Sequence, residues 1–438
     1  MLALLSGTVI AGSVACAPAE SPALELWAAG REGEVVAQLI PAFEAENPGV
    51  RVHVQQLPWR GAHEKLLTAV VGESTPDVAP LGNTWIPEFA TIGALQRLDE
   101  QLAATPSLAP DDFFSGSWGA NEFAGHTYGV PWYVDTRLLF FRTDLLNEAG
   151  FERPPRTWDE WLEMSRAIQQ RRGPGPGHEA RSALFLRLDE PELLLAMGLQ
   201  EAPLLRDGER FGNFRSAGFV RALDFYSSLA HTAVLEAQGN SQVANLWDDF
   251  ARGSFVFFIG APFHLGELGE RLPAQVRDSW STAQLPGRDG PGASLALGAS
   301  LVMFQSSPRK REAWQLIQYL SRPDVQRRFY ELTGDLPPRR SSWDGSDLVA
   351  QRGVAAYRAQ LEQMYPLPEV PEWERIKSAV TVIEERAARA LLSPEAAAVE
   401  LDRRTDRILE KRRWILERGS ASSEHGNDHR PSPVGALP

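Results

Sequence analysis

The segment Gly125–Arg142, GHTYGVPWYVDTRLLFFR, gathers a glycine-punctuated turn, a proline, two aromatic rings and an Asp/Arg pair before an apolar run. Rings and charges at the end of a strand-like run suit a crossover between two lobes, where side chains converge on a ligand. Other segments repeat the combination. Trp59-Arg60 follows one alternating run, Asn83-Thr84-Trp85 follows another, and Arg31-Glu32 follows a third. The chain holds thirteen Trp among 438 residues, many beside turns. Sugars present C–H faces that pack on such rings and hydroxyls that need donors and acceptors, and charged side chains make the stronger bonds to those hydroxyls. On that chemistry Trp59, Trp85, Trp132 and Tyr133 supply rings, while Glu32, Asp135, Arg31, Arg60 and Arg137 supply polar arms. Core or hinge packing competes for Trp132 and Tyr133, and a mutual ion pair competes for Asp135 and Arg137. Trp158 and Trp161, three apart on one helix, are expected to pack into a core.

Reactive constellations are missing from the same sequence. The eight histidines are scattered, with no HxH or HExxH pair at metal-ligand spacing. There is no G-x-S-x-G elbow and no G-x-x-x-x-G-K-[ST] phosphate loop. Carboxylate pairs such as Asp248-Asp249 would serve a glycosidase only if folding joined two partners across a sugar. No cofactor is expected, and the chain reads as a binder and not an enzyme.

The elements that must position these residues alternate. Leu24–Trp27 is a strand candidate, residues 32–46 carry apolar positions at helical spacing, 50–57 alternates as a strand, 61–71 is helical and 78–81 is a third strand. Such alternation predicts an α/β fold with a sheet covered on both faces, its ligands beyond the carboxyl ends of the strands. Farther on, Thr157 and Glu160 form a capping-box pattern. Helices are expected over 219–229 and 241–253, a buried strand over 254–260, and a helix after Ser307-Pro308. A long helical pattern runs from about 370 to 418, followed by a disordered tail over 419–438.

Composition bounds the class. A net charge of −13 speaks against a nucleic-acid surface and gives no reason to lie on an anionic membrane. The start, MLALLSGTVIAGSVAC, is apolar but too short to span a bilayer comfortably, and reads as an export leader over residues 1–15. Cys16, the only cysteine, forms no intramolecular disulfide. It stands after Ser13 and Ala15 as in a bacterial lipoprotein processing site, although that motif usually has Leu where Ser13 lies. A lipid on Cys16 would be the only hold on the membrane, at its extracytoplasmic face.

Read together, FEAENPGVRVHVQQLPW, AHEKLLTAVVGESTPDVAPLGNTWIPEFA, YGVPWYVDTRLLFFRTDLLNEAGFERPPRTWDEW, ARGSFVFFIGAPFHLGEL, LGASLVMF and Gly334-Asp335-Leu336-Pro337 resemble the saccharide-binding solute-binding proteins of bacterial ABC importers, the group containing maltose-binding protein. The resemblance spans about 24–415. It implies two lobes, 24–129 plus 293–338 and 133–290 plus 341–418, with hinge crossovers and a sugar between them. It also implies a monomer that delivers its sugar to membrane permease subunits served by a separate ATPase. By likeness, Trp59, Asn83, Trp85, Tyr133 and Asp135 face the cleft, with Gly298, Ser300 and Arg339 near the crossovers. Where the family often has Gly-Pro-Trp, this chain has Ala261-Pro262-Phe263, so Phe263 offers a ring without an indole donor; Trp247 or Trp280 would compensate. The same scaffold would bind a glycerophosphodiester through Arg31, Arg60 and helix N-termini. A polyamine would require several carboxylates, against which the nearby arginines speak. A glycan-processing enzyme and a non-transport sensor or adhesion module are the remaining alternatives.

Overall fold

The computed structural model describes residues 23–172, 182–237 and 246–425. The leader and Cys16 therefore lie outside the described residues, as do 241–245 of the helix expected over 241–253.

Ten strands build two five-stranded sheets. In chain order they are β1 (Leu24–Ala29), β2 (Val52–Leu57), β3 (Val78–Gly82), β4 (Gly129–Asp135), β5 (Leu138–Arg142), β6 (Ser182–Arg187), β7 (Val234–Ala237), β8 (Phe255–Gly260), β9 (Trp280–Ala283) and β10 (Leu297–Met303). The first sheet has the order β2-β1-β3-β10-β4, the second β7-β6-β8-β5-β9. In the first, β2, β1 and β3 run parallel while β10 is antiparallel to both β3 and β4. In the second, β7, β6 and β8 run parallel while β5 pairs antiparallel with β8 and β9. Burial on both faces explains runs such as FVFFIG and LLFFR, which carry apolar side chains without alternation.

The chain passes between the sheets at a short connection from Asp135 to Leu138 and a longer one from Ala283 to Leu297. The ladder of β4 on β10 runs as far as Leu297↔Asp135, so Tyr133–Asp135 belong to the first sheet and not to the second unit expected from residue 133. Leu336 bridges Val134, adding a third point where the chain meets this junction.

Local chemistry explains where elements stop. The helix expected over 32–46 is two, Gly30–Val36 and Ile40–Glu46. Pro41, lacking an N–H, removes the bond that would have joined them. Residues 370–418 likewise form Trp373–Ala388, Pro394–Ile408 and Glu410–His425, broken by left-handed Ala390 and by Pro394. The last helix thus continues seven residues into the stretch expected to be disordered; 426–438 lie outside the described residues. Thr157 Oγ1 accepts from Glu160 N as a cap at 3.2 Å, but the Glu160 carboxylate accepts from Arg156 N and Arg153 instead of closing the box on Thr157. Trp158 and Trp161 are buried in the second sheet's core, packing on Phe225.

Candidate functional site

Three parallel strands, β2, β1 and β3, end side by side, and each is followed directly by a candidate residue. After β1 comes Gly30, with φ +62°, then Arg31 and Glu32. A Cβ on Gly30 would stand 2.4 Å from the Trp59 ring, so glycine leaves the space in which that indole lies. Trp59, after β2, donates its Nε1–H to Glu32 at 3.1 Å. Trp85, after β3, meets Trp59 edge-on with ring centroids 5.9 Å apart. Behind Trp85 stands His63 at 5.0 Å, hydrogen-bonded through Nε2 to Glu88 at 2.8 Å. The two indoles form an aromatic wall, with Trp59 held by Glu32 and Trp85 backed by the His63–Glu88 pair, and Trp59 remains 36% exposed. Arg60, beside it, is exposed as well.

The end of β4 brings further groups to the wall. Asp135 pairs with Arg137 at 2.6 Å, and the Arg137 backbone N–H donates to Ser294 Oγ at 3.1 Å. Burial works against the Arg137 charge, but Asp135, Glu192 and Glu190 outweigh it and hold the guanidinium above its ordinary value. Tyr133 is buried, and its phenol is pushed well up by burial and by Glu32, Asp335 and Asp135. Glu32 is raised by burial, partly offset by bonds including those from Trp59 and Tyr133. Asp335 is raised further by burial, then by Glu32 and Asp135. Glu32, Asp135 and Asp335 therefore form one acid set with Tyr133 among them and Arg137 as its paired cation. Such a set accepts hydrogen bonds from several hydroxyls while the indoles cover a C–H face.

The other expected residues divide by location. Asn83 is buried and donates Nδ2 to Ala296 O at 2.9 Å, fixing the turn that carries Trp85 against the second crossover. Gly298, with φ +132°, lets β10 approach β4: a Cβ there would lie 2.3 Å from Tyr133 O. Ser300 is buried in mid-strand opposite Leu81 and Pro131. Trp132 belongs to the first core, 4.4 Å from Phe329. Phe263 is 43% exposed at the start of the helix after β8. Trp247 is buried against His264 at 5.3 Å. Trp280 is buried on Phe140 and lines a cavity of about 550 Å³ bounded also by Arg31, Leu265, Tyr330 and Gly334. Arg339 is not brought to this group. Its donors are occupied by Asp112, Ser321 O at 2.8 Å and Ser107 O at 2.8 Å within the first unit.

One residue of the acid set, Asp335, was not singled out from the sequence. Asp335 follows Gly334, whose left-handed φ of +85° ends helix Pro323–Thr333 and turns the acid back toward β4. The Gly-Asp-Leu-Pro segment was the available signal. Among the described residues no group of three metal-ligating side chains occurs.

The family described as bacterial extracellular solute-binding protein matches residues 28–327. The sugar-binding protein MalE from Xanthomonas citri superposes with a TM-score of 0.85 at 44% identity, covering 90% of this chain and 99% of its own. The diacetylchitobiose binding protein DasA of Streptomyces coelicolor is 22% identical over 345 residues, 78% of each chain. An uncharacterized lipoprotein of Streptomyces antibioticus is 26% identical over 394 residues, 84% of this chain and 83% of its own.

Proposed function

The chain belongs to the bacterial extracellular solute-binding proteins, and on that premise we propose that it captures a saccharide on the Trp59–Trp85 wall. It is a solute-binding component of an ABC transport system, a binding protein and not an enzyme. The observation that supports the saccharide reading is the edge-on pair Trp59–Trp85 beside the Glu32–Asp135–Asp335 acid set. Flat apolar surface beside clustered acceptors matches a pyranose, whose ring faces and hydroxyl edges alternate.

Capture and delivery would use the two crossovers, Asp135–Leu138 and Ala283–Leu297, as hinges about which one lobe rotates on the other. The open form takes sugar on the first lobe, and closure adds contacts from Phe263 and its neighbours. The closed monomer then presents a surface to permease subunits, with a separate ATPase driving release. Among the described residues no helix is long and apolar enough to cross a membrane. We assign membrane attachment to a lipid on Cys16, a reading supported by the lipoprotein relative. Cys16→Ser is expected to move the exported protein from the membrane fraction to the soluble one; retention on membranes would refute the anchor.

Thermal melting against maltose, trehalose, cellobiose, xylobiose, diacetylchitobiose, glycerophosphocholine and spermidine tests the ligand class. A bound solute at about a hundred times its Kd stabilises the native state by about 2.7 kcal/mol and must raise the midpoint. A saturable rise is expected for at least one saccharide. A rise confined to glycerophosphocholine or to spermidine would refute the saccharide reading.

A further inference from the structure

Trp85 is carried by a short 3₁₀ turn, Asn83–Trp85, at the end of β3. The three side chains of that turn go three ways. Asn83 is fixed to the second crossover through Ala296 O, and Trp85 stands between Trp59 and His63. Thr84 reaches the other unit: its Oγ1–H donates to Glu374 Oε1 at 2.7 Å, 290 positions away. It is the one hydrogen bond that the described residues give the Glu374 carboxylate. Glu374 lies in the first turn of helix Trp373–Ala388, where the helix dipole favours an acid. One turn on, Lys377 pairs with Glu192 at 3.0 Å; burial works against its charge, while Glu192 and then Glu374 favour it. The units abut around this bond, since Asn83, Thr84 and Pro87 line a small cavity with Leu367, Pro368 and Glu369.

A bond from a hydroxyl to a carboxylate is charge-assisted and depends on close approach. Thr84 and Glu374 stand on opposite sides of the crossovers, so a rotation that parts the units breaks the bond and returns both groups to water. The bond therefore counts in the closed arrangement alone. A contact made in only one of two states shifts the balance toward that state by its own strength. Thr84 also immediately precedes Trp85, so what holds Thr84 holds the turn that presents the indole. We propose, resting on the reading that a solute lies on the Trp59–Trp85 wall, that Thr84 and Glu374 are positioning residues. Their bond latches the two units together and fixes Trp85 against the solute, raising affinity through Trp85.

The test uses the full chain and the solute of the melting panel that binds best. Thr84→Val, which keeps the shape and removes the hydroxyl, and Glu374→Ala should each weaken binding about tenfold. Thr84→Ser, which keeps the donor, should stay within about threefold of wild type. The double variant should bind no worse than either single one, since both remove the same bond. Thr84→Val binding within about twofold of wild type, or losses that multiply in the double variant, would overturn the latch. A second readout needs no solute. Spin labels on Val71→Cys and Leu391→Cys, exposed positions on the two units, report the distance between them in a Cys16→Ser chain. Thr84→Val should lower the population at the short distance in the solute-free chain; an unchanged distribution would overturn the latch as well. A wild type that binds no panel saccharide overturns the saccharide reading instead, and the label distances then decide the latch. Should Glu374→Ala fail to fold, Thr84→Val and Thr84→Ser decide alone.

Discussion

At the scale of single residues, a place beside a strand end marks Trp59, Trp85, Glu32 and Asp135 as residues that the fold gathers. Parallel pairing of β1, β2 and β3 brings the first three together whatever their distance in sequence, and Asp135 joins them through the antiparallel ladder of β10 on β3 and β4. Arg339 shows the limit of that guide. Its place after Leu-Pro-Pro pointed to the cleft, but its charge is satisfied by Asp112, 227 positions away. A cation near a turn declares a charge and not a partner. Asp335 was missed for the converse reason, since its place beside Glu32 and Asp135 comes from neighbours brought by the fold. Gly298 has a role that is steric and testable. Gly298→Ala would place a Cβ 2.3 Å from Tyr133 O at a φ of +132°. Strain and displaced backbone together are expected to cost about 2–4 kcal/mol. Thermal melting should show a lowered midpoint, and an unchanged midpoint would refute the close-approach role.

At the scale of elements, strand and helix positions followed from apolar periodicity, and their ends followed from proline and left-handed turns. What periodicity does not carry is which element meets which. The start of helix Trp373–Ala388 is an example, because Thr84 Oγ1, beside Trp85, donates to its Glu374 at 2.7 Å. Just ahead of that helix, Glu369 shares a small cavity with Asn83 and Thr84. Burial, then Glu209 and Glu122, push its carboxyl up to about 7. The folded chain therefore holds this proton more tightly than the unfolded chain, whose carboxyl keeps its ordinary value of 4.5. The stability linked to Glu369 is fully present below pH 4.5 and is lost as pH rises through about 7. Glu369→Gln removes the charge, and after discounting for solvent screening it should add about 1 kcal/mol at pH 8. At pH 4 it should add close to nothing. Melting midpoints of both proteins at the two pH values check this; an equal difference at each would contradict it.

At the scale of the whole molecule, two sheets joined by crossovers place an aromatic wall and an acid set on one unit. The exposed phenyl ring of Phe263 stands on the other. We propose that rotation of one unit on the other brings Phe263 to a sugar lying on this wall, so that capture and closure are one event. The measurement that tests this account most directly is a calorimetric titration of wild type and Trp85→Ala with the saccharide that raises the melting midpoint most. Saturable one-to-one binding by wild type is expected. Trp85→Ala should weaken it about thirtyfold, the loss of about 2 kcal/mol that uncovering one indole face implies. Equal affinity in the two proteins would contradict the placement of the sugar on this wall.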